Sequence, residues 1–360
     1  MKSKVFFLAI IVGMLVLALS HCKKDPLDVS DDYQPTPYNI DIPKYFPTQL
    51  IIPEDNPMTV EGVELGRYLF YEGRIAGRTD TLMSCGTCHF QQYAFENGTG
   101  FGYGVTGIKT PHVMLPLFNL VWNPNNILWN GKVKWLEDLT WMGIHAPHEM
   151  KSDTNRAKAL LQSIPFYPPL FKKAFGSDII TAKNMGRAIA QFMRSMVSAN
   201  SKFDQWLRGE TSLTASEMSG YNIFNTETGD CFHCHGTILF TTNLFYNNAK
   251  DSIFNDSTSL KDRYSITHDP QDIGAFRAPS LRNAELTGPY MHDGRFATLT
   301  DVINFYSEGL IWSPYVHPFM KKVNDGGIQL TLQQKADLLA FLKTLTDQTF
   351  INNPDYISPF

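Results

Sequence analysis

The chain has 360 residues, 43% of them apolar, and a formal charge of −4 at pH 7. That apolar share supports a substantial packed core and excludes a chain too polar to fold, and the length accommodates two domains. The slight acidity, without any basic tract, excludes nucleic acid as an expected partner and an anionic membrane surface as a docking site.

Lys2 and Lys4 precede an apolar run from Val5 to Leu19. The run is too short to span a bilayer and has the charged and apolar regions of an export signal. Leu19-Ser20-His21-Cys22 then resembles a lipoprotein cleavage site, with His21 in place of the usual small residue. The five cysteines divide as Cys22, a pair at Cys85 and Cys88, and a pair at Cys231 and Cys234, which leaves no couple for a disulfide. Residues 1–22 are therefore expected to be a signal peptide ending at a lipid-bearing cysteine. The mature protein is expected in the periplasm, attached to a membrane only through that lipid. Residues 23–47, rich in Pro, Asp and Tyr, read as a tether.

The chemistry of the chain concentrates in two pentapeptides, Cys85-Gly86-Thr87-Cys88-His89 and Cys231-Phe232-His233-Cys234-His235. Two thiols at this spacing form thioethers with the two vinyl groups of one porphyrin, and the adjacent histidine ligates its iron, so two covalent c-type haems are predicted. Zinc sites also use Cys-x-x-Cys pairs, but zinc does not require a histidine directly after both second cysteines. Covalent haem attachment demands the oxidising compartment that the export signal implies.

Around these motifs, apolar residues recur at helical spacing: Leu65, Tyr68 and Leu69, then Ala188, Ile189, Phe192, Met193, Met196 and Val197. A helix from about Ala182 to Arg208 is expected to join two halves. The last helix starts at Thr331, with Gln334 completing a capping box, and runs through Leu338, Leu339, Leu342 and Leu345. Few segments alternate with period two, and the stretches between helices are rich in Gly, Asn and Pro. The expected fold is all-α: two cytochrome c-like domains, each around one covalent haem, with long irregular loops. The expected boundaries are 48–205 for the N-terminal haem domain, 206–347 for the C-terminal one and 348–360 for a tail. An ungapped internal repeat supports the division. It sets Leu128-Trp129-Asn130-Gly131-Lys132 and Leu136-Glu137-Asp138 against Met291-His292-Asp293-Gly294-Arg295 and Leu299-Thr300-Asp301. Extended, it places Gly143 opposite Tyr306.

From Gly62 to Asp347 the chain resembles the bacterial dihaem cytochrome c peroxidase and MauG family. The likeness rests on Leu65-Gly66-Arg67, the two haem motifs, Pro116-Leu117-Phe118-Asn119-Leu120, Trp129-Asn130-Gly131, Pro147-His148-Glu149-Met150, Ala278-Pro279-Ser280-Leu281-Arg282-Asn283 and Met291-His292-Asp293-Gly294-Arg295. The resemblance implies a peroxide-reducing first haem, a second haem that stores an electron, and His89 and His235 as proximal iron ligands. It also makes Tyr306 the sixth ligand of the second iron, where ordinary peroxidases have methionine and MauG has tyrosine; Met291 and Met320 are the alternatives. Gly143 can supply no ligand, and Phe90 to Thr110 lacks the histidine that blocks many resting peroxidases, so the first haem is expected to be open on one face.

Glu149 matches the family's acid-base glutamate, which moves a proton between the peroxide oxygens. Leu139 stands where the family has a companion glutamine. Trp129 matches the tryptophan between the haems, while Phe118 and Trp122 are expected to pack. The carbonyls of Thr287 and Pro289 match two ligands of a family calcium ion, but Val113 replaces the asparagine that supplies the third. Arg277, Arg282, Lys132 and Arg295 are candidates to pair with haem propionates.

The activity implied is reduction of hydrogen peroxide to water with electrons from a small cytochrome c or cupredoxin, carried out by a homodimer. Two alternatives stand beside it. One is a MauG-like oxidase of a protein or organic substrate, although Gly229 replaces the surface tryptophan that MauG uses to reach its partner. The other is a non-enzymatic dihaem electron-transfer cytochrome.

Overall fold

The computed structural model describes residues 33–123, 126–254 and 262–360. The export signal and Cys22 lie outside the described residues. Helices dominate, and the β structure consists of Phe245–Tyr246 paired antiparallel with Phe276–Arg277, together with isolated bridges. No described helix is long and apolar enough to cross a membrane.

Two helix pairs build two apolar cores. In the first, helix Val60–Tyr71 crosses helix Ala182–Ser195, burying Leu65, Leu69 and Phe70 against Ala188, Ile189 and Phe192. Thr59 and Thr181 cap these helices by accepting the N–H groups of Gly62 and Asn184. A side chain at Gly66 would run into the Ala188 carbonyl, so glycine sets how closely the backbones approach. The second core repeats the device with helices Ala215–Phe224 and Leu332–Lys343, where Gly220 lies against the Asp337 carbonyl. The expected capping box of Thr331 and Gln334 starts the latter helix.

The internal repeat is visible in the backbone. Ile127 bridges to Val133 and Tyr290 to Phe296, each bridge closing a loop before a ten-residue helix, Leu136–His145 in one copy and Leu299–Glu308 in the other. Leu128 and Met291 have φ of 75° and 70°, and Gly131 and Gly294 have 70° and 68°. Matched left-handed positions on both sides of matched bridges make these two copies of one turn.

Three segments differ from expectation. The helix expected from Ala182 to Arg208 is broken into Ala182–Ser195 and Lys202–Leu207. The intervening residues are held by side chains: the Asp347 carboxylate accepts the N–H groups of Ala199 and Asn200, and Asn119 accepts that of Ser198. Residues 33–47, the described part of the expected tether, lie against the body. Phe46 is buried beside Trp122, Trp122 donates its indole N–H to the Pro47 carbonyl, and Tyr33 donates to that of Ala174. Pro and Asp composition signals irregular backbone, and here that backbone carries apolar anchors.

The expected tail, 348–360, also packs. Phe350 and Tyr356 sit in the first core, and Arg67 grips the carbonyls of Pro354 and Ile357. The end of the chain thus closes over the N-terminal helix pair.

Candidate haem cavities

Each attachment motif opens onto its own cavity. Cys85, Cys88 and His89 line the first, of about 870 Å³, and Cys231, Cys234 and His235 line the second, of about 220 Å³. A structural zinc ion is enclosed by its ligands and needs no such space. The two histidines are prepared alike. The Nδ1 of His89 lies 2.5 Å from the Phe95 carbonyl, and that of His235 lies 2.9 Å from the Phe240 carbonyl. Each bond fixes the ring and the tautomer, leaving Nε2 with its lone pair for a metal. Burial also pushes both imidazoles toward the neutral form that ligation requires, His89 down to about 4. The residues present fit an iron porphyrin in each cavity.

The cavities differ at the helix that follows each matched turn. Gly143, on helix Leu136–His145, lines the first, and a Cβ built there would lie 2.7 Å from Oε2 of Glu149. The missing side chain is therefore the space that the carboxylate occupies. Glu149 sits in the turn after that helix, its N–H donating to Ala146 and its carbonyl accepting from Val105. Gly104 admits this turn, since a side chain there would collide with the Glu149 backbone. Burial raises the Glu149 pKa above the ordinary carboxylate range. Leu139 lines the same cavity.

In the second cavity the equivalent helix presents Tyr306. Its side chain is partly buried, and desolvation raises its pKa, opposed by a 3.0 Å hydrogen bond in which Asn248 Nδ2 donates to the phenolic oxygen. The same amide lies 3.6 Å from the sulfur of Met291. Tyr306, Met291 and Met320 all line this cavity, so the expected ligand and both alternatives are within it. Sequence reasoning missed Asn248, which lies in a loop with no motif around it.

Trp129 and Arg277 line both cavities. The Trp129 indole donates to the Val113 carbonyl at 2.8 Å and meets His292 edge-on, and His292 stacks on Phe276 with ring centroids 3.5 Å apart. The tryptophan of the first copy thus touches the histidine that replaces it in the second. Phe118 and Trp122 are buried packing residues. Of the cations considered for propionates, Lys132 and Arg277 line a cavity. Arg282 and Arg295 do not: Arg282 is fully buried in a two-pronged pair with Asp204, both bonds 2.8 Å, and Arg295 binds Asp251 and Asp293. Both guanidiniums are held in ion pairs.

Three histidines beyond those expected line the first cavity. His148 Nε2 lies 3.9 Å from Glu149 Oε1, His145 Nε2 contacts Thr154 Oγ1 at 2.9 Å, and His112 meets His292 edge-on. All three follow Thr110, outside the segment after the first motif in which a blocking histidine is expected.

The seam expected to hold calcium contains the carbonyls of Thr287 and Pro289, and the apolar side chain of Val113. A Cβ at Gly100 would approach Pro289 Cγ at 2.7 Å and Val113 Cγ2 at 3.4 Å, so the loop after the first haem motif meets both residues.

Residues 60–212 match the family model described as di-haem cytochrome c peroxidase. The chain is 33% identical over 302 residues to the methylamine utilization protein MauG of Methylorubrum extorquens, covering 81% of this chain and 80% of that protein. It is 31% identical over 322 residues to the cytochrome c551 peroxidase of Nitrosomonas europaea, covering 87% and 86%. A crystal structure of a MauG-like protein associated with microbial copper homeostasis superposes with a TM-score of 0.82 at 34% identity, covering 89% of this chain and 99% of that one. With two prepared haem histidines in two linked cavities, and relatives aligned along most of its length, the chain belongs to the dihaem cytochrome c peroxidase and MauG family.

Proposed function

We propose that the chain is a dihaem c-type peroxidase that reduces hydrogen peroxide to water with electrons from a small redox protein. The observation that carries this reading is the asymmetry of the cavities: a carboxylate fills the space over Gly143 in one, and a phenol occupies the equivalent position in the other. When bound, each haem supplies an iron that gives up one electron at a time, and two such electrons reduce one peroxide.

Cys85 and Cys88 hold one porphyrin covalently and Cys231 and Cys234 the other, while His89 and His235 present Nε2 to the irons. Glu149 takes the proton from the near oxygen of peroxide and returns it to the far one, which leaves as water; the near oxygen takes up the two electrons, and two protons from solvent, and leaves as the second water. Its raised pKa keeps this carboxyl close to the range in which it both accepts and donates. Leu139 provides an apolar wall where a glutamine would donate a hydrogen bond, so Glu149 carries more of the orientation alone. Trp129 contacts both cavities and carries the second electron across.

Tyr306 favours a second reading, a MauG-like oxidase, because a tyrosinate ligand stabilises the oxidised iron and an amide already hydrogen-bonds its oxygen. The deciding measurement is steady-state turnover of peroxide with a reduced cytochrome c or cupredoxin as donor. Turnover supports the peroxidase. Rapid peroxide consumption without donor oxidation, accompanied by oxidation of an added protein, supports the oxidase.

Export to the periplasm, lipid attachment at Cys22, a homodimer and a calcium ion at the domain seam complete the proposal. Membrane fractionation of wild type against Cys22→Ser tests the anchor, and sedimentation of the holoprotein tests the dimer.

A further inference from the structure

Reducing one peroxide to two waters consumes two protons from outside, whereas the exchange proposed for Glu149 only moves a proton already on the substrate. Those protons must cross from bulk water to a carboxylate that lines the first cavity. The chain makes that crossing within three residues. Pro147 is exposed at the surface, His148 keeps 32% of its side chain accessible, and Glu149 follows.

His148 lines the same cavity as Glu149, and its Nε2 lies 3.9 Å from Glu149 Oε1. That separation is too long for a direct hydrogen bond and suits one water touching both groups. Imidazole is also the side chain that both takes and gives a proton in the neutral range.

The turn that carries the pair is fastened by its backbone. Thr106 Oγ1 donates to the Pro147 carbonyl at 2.8 Å, the Val105 N–H donates to the Glu149 carbonyl at 2.9 Å, and the Met150 N–H donates to the Gly143 carbonyl at 3.3 Å. A Cβ at Gly104 would stand 2.4 Å from the carbonyl carbon of His148, so the loop of Gly104 and Thr106 packs directly on this turn. The other two histidines of the cavity face different partners. His145 contacts Thr154 Oγ1 at 2.9 Å and lies beside Trp141, with ring centroids 5.4 Å apart, and His112 meets Phe276 and His292 edge-on. Leu139, in the same wall, neither donates nor accepts.

We infer that His148 relays protons from bulk water to Glu149 during peroxide reduction, acting through that carboxyl and touching neither peroxide nor iron. This rests on the peroxidase reading proposed above. In each round the imidazole takes up one proton from bulk water and releases one from Nε2, through the bridging water, to the Glu149 carboxylate. Glu149 hands it to the near oxygen, and both side chains return to their starting states. Two rounds, with two electrons from the haems that the donor protein replaces, turn that oxygen into the second water.

The test compares the wild-type holoprotein with His148→Gln at one pH, with peroxide and a reduced cytochrome c as substrates. Haem content and thermal midpoint are expected to match. The turnover number is expected to fall at least about tenfold, the low end of what proton transfer by a positioned group contributes, because bulk water still reaches the site. The ratio kcat/KM for peroxide is expected to fall less, since the internal exchange by Glu149 precedes the relay. The solvent deuterium isotope effect on kcat is expected to be larger in the variant. Raising the phosphate concentration at constant ionic strength is expected to restore kcat in His148→Gln and to leave wild type unchanged, a rescue that a merely structural defect would not show.

Equal kcat in wild type and His148→Gln would overturn the relay and leave the peroxidase reading standing, as would a lowered kcat that phosphate does not raise. A wild type that does not turn over peroxide would overturn both. If His148→Gln does not fold, His148→Ala removes the ring without adding an amide and is judged by the same phosphate series.

Discussion

Gly143→Ala separates the two things that a glycine inside a helix can mean. In an ordinary helix the change stabilises, because alanine loses less backbone freedom on folding, and the gain is about 0.5–1 kcal/mol. Gly143 lies within helix Leu136–His145 and its backbone is not left-handed, so that gain is available. The new Cβ would, however, lie 2.7 Å from Glu149 Oε2, where ordinary contact begins at 3.4 Å, so the carboxylate must retreat by about 0.7 Å. It sits at the far end of a flexible side chain and can do so without unfolding the turn. A displacement approaching 1 Å at a reacting group costs up to about a hundredfold in rate.

The variant is therefore expected to melt at or above the wild-type temperature while its second-order rate constant with hydrogen peroxide, read by stopped-flow absorbance, falls between about tenfold and a hundredfold. Glu149→Gln sets the scale, with an expected loss of about 10² to 10⁴ for removal of an acid-base group. If Gly143→Ala reacts as fast as wild type while Glu149→Gln is slow, the glycine does not position the carboxylate. If both react at the wild-type rate, Glu149 has no part in the chemistry.

The pH dependence follows from the same carboxyl. Glu149 must be ionised to take a proton from peroxide, and burial raises its pKa, so the rate constant is expected to rise with pH through a midpoint above the usual glutamate value. A Glu149→Gln profile that keeps this limb would assign it to another group. Trp129→Phe is expected to keep both haems and slow electron equilibration between them at least tenfold, because Trp129 is the aromatic that lines both cavities; flash reduction of the half-oxidised protein reads the rate, and no change would remove Trp129 from the path. Asn248→Leu removes the donor to the Tyr306 oxygen. If Tyr306 is the iron ligand, the phenolate then gives more charge to the metal and the potential of the second haem falls while that of the first stays put. A redox titration in which neither potential moves would point to Met291 or Met320.

Much of this was legible because the attachment chemistry dictates local order. Thioether bonds and a proximal histidine require five consecutive positions, so the haem motifs, their two cavities and the helical character of the chain could be read directly. The ungapped repeat was equally informative, since Gly143 and Tyr306 occupy matching helix positions in the structure. What could not be read depends on contacts between distant residues. Asn248 is one asparagine among many until the fold carries it to Tyr306. Arg282 belongs to a motif shared with haem proteins, but Asp204 claims its guanidinium from a helix 78 residues away. Residues 33–47 and 348–360 have the composition of linkers, yet Phe46, Phe350 and Tyr356 find apolar partners that only the assembled body supplies.

The repeat also explains how one fold yields two unlike sites, and Tyr306→Gly tests the explanation. Both copies place the same helix position in the wall of the cavity that the proximal histidine lines. In the first copy that position is Gly143 and the turn beyond the helix returns Glu149 into the space. In the second copy the helix ends at Gly309 and the chain turns outward, placing Leu310 in the cavity wall and leaving Trp312 60% exposed. Among the described residues no glutamate lines the second cavity, and Asp230, which does, is 2.7 Å from His233 beside the attachment motif. Removing the phenol should therefore open the second iron to small ligands such as cyanide without conferring rapid reaction with peroxide, because an open face without a positioned carboxylate lacks the acid-base step. The measurement is a comparison of cyanide binding and peroxide reaction in Tyr306→Gly, with Glu149→Gln added to silence the first site. A second haem that then consumes peroxide as fast as the native first one would mean that vacancy alone makes the peroxidase, and that the carboxylate over Gly143 is incidental.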